Sequence, residues 1–316
     1  MKKPLIILTG PTAVGKTRAS IGLAKALNGE IISADSMQVY KYMDIGSAKI
    51  RPAEMEGIRH YLIDELEPNE EFHVVRFQQM AKQAMEEIYA KNKIPIVVGG
   101  TGFYIQALLY DIDFTDNNEE SLYRRELEQL AAEKGAACLH AMLTDVDPKS
   151  AQIIHANNVK RVIRALEFYR QTGQPISEHN EAEREKESPY DFCYFVLNDD
   201  REALYERIER RVDQMLTEGL LDEVQSLKEK GYTKDMVSMQ GLGYKEILDY
   251  LNGECSLEEA IYVLKRDTRH FAKRQLTWFR RERDVIWIDK QDFEHCEDAI
   301  LQAMLQYVRE RTNISC

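Results

Sequence analysis

The eight residues Gly10-Pro-Thr-Ala-Val-Gly-Lys-Thr17 follow the apolar run Leu5-Ile-Ile-Leu8 and lead into a helix-forming stretch, Thr17–Leu27. A G-x-x-x-x-G-K-[ST] pattern between a buried strand and a helix is a phosphate-binding loop. Its glycines let consecutive backbone N–H groups point into one concavity, and the helix N-terminus adds positive potential. Lys16 supplies a point charge, and the Thr17 hydroxyl is a ligand for Mg2+. Gly10, Pro11, Thr12, Ala13, Val14, Gly15, Lys16 and Thr17 are therefore expected to grip a diphosphate or triphosphate, with Thr17 on the metal. The motif specifies phosphate and leaves its carrier open.

Outward from this loop, apolar runs alternate with helical stretches. Glu30–Ala34 reads as a second strand ending at Asp35, and Val75–Lys91 as a helix. Ile94–Val98 is a further strand, ending in Gly99-Gly-Thr-Gly102. Continuous apolar strands separated by helices predict an α/β fold, a parallel sheet with helices on both faces. Ligands of such sheets bind at the carboxyl ends of the strands. The loop at residue 10, Asp35 and Thr101 all lie at such ends.

Strand signals stop between residues 113 and 190. Glu119–Lys134 and Val159–Arg170 have helical periodicity, Gly173 is a stop signal, and Ser177–Ser188 is polar and reads as a linker or exposed segment. An apolar strand returns at Phe192–Leu197. Helices follow at Arg201–Met215, Leu220–Lys230 and Ser256–Arg283, then a strand at Val285–Ile288 and a helix at Asp298–Arg311. The expected organisation is a phosphate-loop core of residues 1–112 and 191–316, interrupted by an all-helical insertion at 113–190.

Composition is that of a globular protein, with 44% hydrophobic and 30% charged residues. No apolar run approaches the roughly 18 residues that span a bilayer, and no signal peptide is evident, so a cytoplasmic protein is expected. Five scattered cysteines (Cys138, Cys193, Cys255, Cys296, Cys316) without a C-x-x-C pair argue against a zinc site or disulfide framework. The net charge of −12 disfavours a nucleic-acid partner in sum, but its distribution matters more. Lys265, Arg266, Arg269, Lys273, Arg274, Arg280, Arg281 and Arg283 cluster with Trp278 and Phe279. Lys160, Arg161 and Arg164 form a second basic knot. Basic residues interleaved with aromatics suit single-stranded RNA, although the aromatics also suit a core.

Three further positions carry chemistry. Asp35 can make a second-shell magnesium contact, act as a general base on an acceptor, or cap a helix. Thr101 sits in a glycine-rich strand end that permits close ligand approach or merely turns the chain. Arg207 and Arg211, four apart on one helix, can clamp a diphosphate or pair with Glu206 and Glu209. No hydrophobic strand ending in an aspartate evidently completes a second magnesium position, and no adenine-binding signature is apparent, so an ATPase reading is incomplete.

Several segments together resemble the bacterial tRNA dimethylallyltransferases, the tRNA isopentenyltransferase family. They are the loop 10–17, Asp35-Ser-Met-Gln-Val-Tyr40, Met43-Asp-Ile-Gly-Ser-Ala-Lys49, Val98-Gly-Gly-Thr-Gly-Phe-Tyr104, Asn158-Val-Lys-Arg-Val-Ile-Arg-Ala-Leu-Glu167, Arg207-Ile-Glu-Arg-Arg211, Gly243-Tyr-Lys-Glu246 and Ala272-Lys-Arg-Gln-Leu-Thr-Trp-Phe-Arg280. They run in order along nearly the whole chain. Val14 and Ser47 depart from the usual serine and threonine.

The resemblance implies transfer of a dimethylallyl group from dimethylallyl diphosphate to the N6 amine of the adenosine 3′ of a tRNA anticodon. Lys16, Arg207 and Arg211 would hold the diphosphate with Mg2+, Asp35 would be the base, and Thr101 would position the amine or the diphosphate. Ser36, Met37 and Gln38 would line the pocket for an extruded base. Val159, Lys160, Arg161, Val162, Ile163, Lys273, Arg274 and Arg280 would bind the tRNA anticodon stem-loop. A monomer is expected. The competing readings are a phosphate-loop kinase, prenyl transfer to free adenine nucleotides, and an RNA-binding ATPase.

Overall fold

The computed structural model describes residues 2–114, 122–312 and 314. The proposed helix start at 119–121 and Cys316 lie outside these residues. The chain divides into two compact units. One runs to Leu109 and resumes at Pro189, and the other is Tyr110–Ser188.

The first unit is built on strands β1 (Lys3–Thr9), β2 (Gly29–Ser33), β3 (His60–Tyr61), β4 (Ile94–Gly99), β5 (Tyr190–Asn198) and β6 (Val285–Asp289). They form one parallel sheet in the order β3-β2-β4-β1-β5-β6. Five of these strands were legible as apolar runs. The two-residue β3 was not, because so short a strand carries no periodicity. Leu5–Leu8 of β1 are fully buried, as a central strand of a sheet covered on both faces requires. Each such side chain contributes about 1.5–3 kcal/mol through burial.

Helices α1 (Lys16–Ala26), α2 (Val74–Ala90) and α3 (Gly102–Leu109) follow β1, β3 and β4. After β5 come α9 (Arg201–Thr217), α10 (Leu220–Glu229), α11 (Tyr244–Leu251) and α12 (Leu257–Phe279), the labels between α3 and α9 belonging to the five helices of the second unit. α13 (Glu297–Arg311) closes the described chain. Ser256 caps α12, its side chain accepting from Glu259 N at 3.2 Å. That helix stops at Phe279 rather than Arg283, because the fully buried Phe279 ring ties its end to the core.

β4 intervenes between β1 and β2, so the chain leaves β1 and returns one strand away. The carboxyl ends of β1, β4 and β5 therefore lie side by side, with Ile6 in register with both Ile96 and Cys193. The loops after these strands meet at a point where the strand order reverses, the usual ligand crevice of such sheets.

The second unit holds α4 (Leu122–Lys134), α5 (Ala136–Val146), α6 (Pro148–Ile153), α7 (Val159–Thr172) and α8 (Ile176–Glu185). Its core is Leu127, Leu139, Leu143, Val162, Ile163, Ala165 and Leu166. The polar segment Ser177–Ser188, expected as a linker or exposed segment, is mostly exposed, and much of it forms helix α8. Asp147 receives Ser177 N at 3.0 Å and its hydroxyl at 2.6 Å, which fixes the first turn. Ile176 packs on the unit's core, and the His179 ring lies 4.9 Å from that of Phe168. Tertiary contacts rather than an apolar stripe make this helix. No helix among the described residues is long and apolar enough to cross a membrane.

Candidate active site

The loop after β1 is held from behind. Gly10 has φ +144°, and a Cβ there would lie 2.4 Å from the Leu197 carbonyl oxygen of β5. Val14 is wholly buried in the core, so its replacement of the usual serine leaves only a packing role for the side chain. Gly10, Pro11 and Val14 thus support the loop, while Thr12, Ala13, Gly15, Lys16 and Thr17 line a cavity of about 720 Å³. All three of these supporting residues are buried, which leaves the backbone as what this part of the loop can offer a ligand.

Lys16 Nζ donates to Gly10 O at 2.9 Å and Pro11 O at 2.8 Å. Burial and the neighbouring Arg211 guanidinium push its ammonium down to about 7, against the opposing pull of Asp35. Burial likewise lowers Arg211, with Asp35 again opposing. Two cations and one carboxylate are thereby concentrated in a cavity that all three line.

The two arginines of α9 differ. Arg207 donates from Nη2 to Asp199 Oδ2 at 2.7 Å and from Nε to the Ala13 carbonyl at 3.1 Å. Arg211 has no hydrogen-bond partner among the described residues, so its donors are available to a ligand. Asp199 follows β5 directly and is fully enclosed. An apolar strand does run into an aspartate here, but it lies outside the cavity lining and completes no magnesium position there. Its carboxylate is committed to Arg207 and to Asp200 N at 2.8 Å.

Asp35 Oδ1 accepts from Met37 N at 2.8 Å and from Gln38 N at 3.4 Å. It caps the turn, and Oδ2 has no hydrogen-bond partner among the described residues. Gln38 lines the same cavity, while Met37 abuts Gly241 and neither it nor Ser36 does so. Thr101 N donates to Ala34 O at 3.3 Å, which places Thr101 beside Asp35, and its carbonyl opens α3 by accepting from Tyr104 and Ile105. It lies outside the cavity lining, where Gly100 takes part instead.

Gln275 was not singled out from sequence for any role. Buried on α12, it accepts from Thr12 N at 2.9 Å and donates to Gly100 O at 3.0 Å. It braces the phosphate loop against the β4 end. A glutamine in a basic helix carries no periodic signal, so only the fold exposes it.

Among the described residues no group of three His, Cys, Asp or Glu side chains is arranged to hold a metal. The exposed Thr17 lines the cavity. This donor set fits Mg2+, which keeps several waters and is bound by few protein oxygens plus substrate phosphates.

Lys273, Arg274 and Arg280 are exposed on α12 and at its C-cap. Trp278 is packed 6.2 Å from the Phe103 ring, and Phe279 is core. In the second unit, Lys160 and Arg161 are exposed and Val159 is half-buried. Val162 and Ile163 are core residues of α7. Their side chains face the helical core and hold the surface that presents their neighbours.

The family model described as IPP transferase matches residues 38–282. A tRNA dimethylallyltransferase of Lachnoclostridium phytofermentans is 63% identical over 309 residues, covering 98% of each chain. The crystal structure of a tRNA isopentenylpyrophosphate transferase from Bacillus halodurans is similar, with 45% identity, TM-score 0.73 and 98% coverage of each chain. A eukaryotic dimethylallyltransferase captured acting on tRNA superposes with TM-score 0.85 at 32% identity, covering 99% of this chain and 81% of that one.

Proposed function

The chain belongs to the IPP transferase family of tRNA dimethylallyltransferases, and we propose from that premise how its residues perform the transfer to a tRNA adenosine. The donor is dimethylallyl diphosphate and the acceptor is the N6 amine of the adenosine 3′ of the anticodon. The observation that carries this reading is the cavity at the β1, β2 and β4 ends, which the half-buried cations Lys16 and Arg211 line together with Asp35.

The amine nitrogen attacks C1 of the allyl group. The C1–O bond breaks and its electron pair leaves with the diphosphate. Adenine's amine is a weak nucleophile, because its lone pair is delocalised into the ring. Asp35 Oδ2 accepts its proton as the new bond forms, while Oδ1 holds the carboxylate in place through the turn. The developing negative charge on the leaving group is met by Lys16, which retains a donor beyond its two carbonyl bonds, and by Arg211. Mg2+ on the Thr17 hydroxyl would add to that charge neutralisation. Arg207 shapes the loop through Ala13 rather than clamping the diphosphate. Thr101, whose N–H bonds to the Ala34 carbonyl, would help position the amine or the diphosphate by fixing the β4 end next to Asp35. Arg161 and Lys160, together with Lys273, Arg274 and Arg280, contact the RNA backbone.

The test is a transfer assay with labelled dimethylallyl diphosphate, magnesium and unmodified tRNA, with AMP and ATP as parallel acceptors. Label in tRNA alone supports the proposal. Label in free nucleotides moves the activity to a nucleotide prenyltransferase, and label nowhere overturns the reaction.

A further inference from the structure

One wall of the cavity is a loop, and four consecutive backbone N–H groups of that loop are taken up by two side chains from other helices. Glu223 of α10 accepts from Asp44 N at 2.9 Å and Ile45 N at 2.7 Å through one oxygen, and from Gly46 N at 3.1 Å through the other. The Tyr244 hydroxyl of α11 accepts from Ser47 N at 3.1 Å and donates to Glu223 at 2.8 Å. The Tyr244 ring is fully buried against Gly46, where an added Cβ would lie 2.6 Å from the ring. A run of amides turned into one concavity is an anion-binding nest, and here the protein fills it with its own carboxylate.

The other side of this loop faces the chemistry. Asp44, Ile45, Ser47 and Ala48 line the same cavity as Asp35. The Ser47 and Ala48 carbonyls accept from the Gln38 amide at 3.5 and 3.4 Å, and Gln38 Oε1 accepts from the Ser33 hydroxyl at 3.1 Å. Gln38 N in turn donates to Asp35 Oδ1. A continuous hydrogen-bonded path thus runs from Glu223 and Tyr244, through the loop, to Gln38 and Asp35. The phosphate loop is braced separately, by Gln275 and Arg207.

We infer that Glu223 and Tyr244 are positioning residues of the transfer site: they fix the 44–48 wall whose carbonyls orient Gln38, and so set the acceptor side of the cavity beside Asp35. The inference rests on the reaction proposed above. It assigns them no contact with the diphosphate.

The experiment uses the full-length chain with Tyr244→Phe, which keeps the ring on Gly46, and Glu223→Gln, which keeps the shape and loses charge. Three quantities are read: amide exchange of the 44–47 segment, inorganic pyrophosphate affinity, and kcat and KM for an anticodon stem-loop RNA. Losing one of these hydrogen-bond partners is expected to raise the KM for RNA about tenfold and speed local exchange by a similar factor. Pyrophosphate affinity stays within about twofold in both variants, since nothing at the phosphate loop is altered. Unchanged exchange and KM overturn the inference, as does pyrophosphate affinity falling in step with KM, which marks general loosening. Wild-type protein that binds pyrophosphate and modifies no RNA overturns the reaction itself, a failure told apart because it appears without any substitution.

Discussion

Arg207 and Asp199 are joined at 2.7 Å, the carboxylate fully enclosed and the guanidinium also bonded to the carbonyl of Ala13 in the phosphate loop. Arg211, one turn along the same helix, has no such commitment among the described residues. The two arginines therefore divide support from ligand binding. Asp199→Asn is expected to lower stability by about 1–3 kcal/mol, since it weakens a buried charged hydrogen bond, with a modest loss of pyrophosphate affinity. Arg211→Gln is expected to reduce pyrophosphate affinity about tenfold to a hundredfold with little loss of stability. Chemical denaturation and pyrophosphate titration of both variants separate the effects. Equal losses of affinity would remove the distinction.

Lys16 titrates near neutrality, at about 7. An anion bound beside it favours its charged form, so at pH 8 pyrophosphate binding takes up a proton at this site. Calorimetry in two buffers of different ionisation enthalpy reads that proton. Lys16→Arg, charged throughout, abolishes the uptake. The same shift carries a stability signature. The unfolded chain keeps this proton up to about 10.5 while the folded chain releases it at about 7, so between those values the unfolded state binds more protons and this contribution to stability rises with pH. Lys16→Met flattens that rise in denaturation profiles.

The two oxygens of Asp35 have different tasks, one capping the turn and the other available to the acceptor. Asp35→Asn preserves an oxygen for Met37 N and removes the base. Transfer should fall about 10²–10⁴-fold, the usual range for a general base, with RNA and pyrophosphate binding kept. Single-turnover transfer against filter binding checks it, and unimpaired turnover excludes Asp35 from proton removal.

Gln275 satisfies one donor of the phosphate loop and one acceptor of the β4 end. Gln275→Leu leaves the buried Gly100 carbonyl and the half-buried Thr12 N–H unpaired and is expected to cost about 1–3 kcal/mol of stability. Pyrophosphate affinity should fall as well, although the side chain is assigned no ligand contact. Urea unfolding gives the first figure and titration the second.

Arg161 and Val162 are neighbours on α7 with opposite environments. Arg161→Ala should weaken tRNA binding and reduce the slope of log affinity against log salt by about 1, with pyrophosphate binding intact. Val162→Ala should instead cost about 1–3 kcal/mol of stability by opening a cavity and leave the salt slope unchanged. Salt titrations of RNA binding, paired with thermal melts, test both.

The sequence by itself determined the elements with strong local signals. The apolar runs of β1, β2, β4, β5 and β6 announced a covered parallel sheet, because strands buried on both faces read as nearly continuous apolar runs rather than as an alternation. The loop 10–17 declared its chemistry, since its residue types act largely through backbone and a fixed lysine. The run of motifs through Arg207–Arg211 and Gly243–Glu246 was enough to indicate the family. Side-chain partnership was decided only by the tertiary structure. Which arginine is committed, which of Val159–Ile163 face a core, and whether Gln275, Glu223 or Tyr244 touch the site all depend on segments tens to hundreds of residues apart. Hydrogen bonds between such segments leave no periodicity in the chain, because the sheet order, rather than sequence spacing, brings them together.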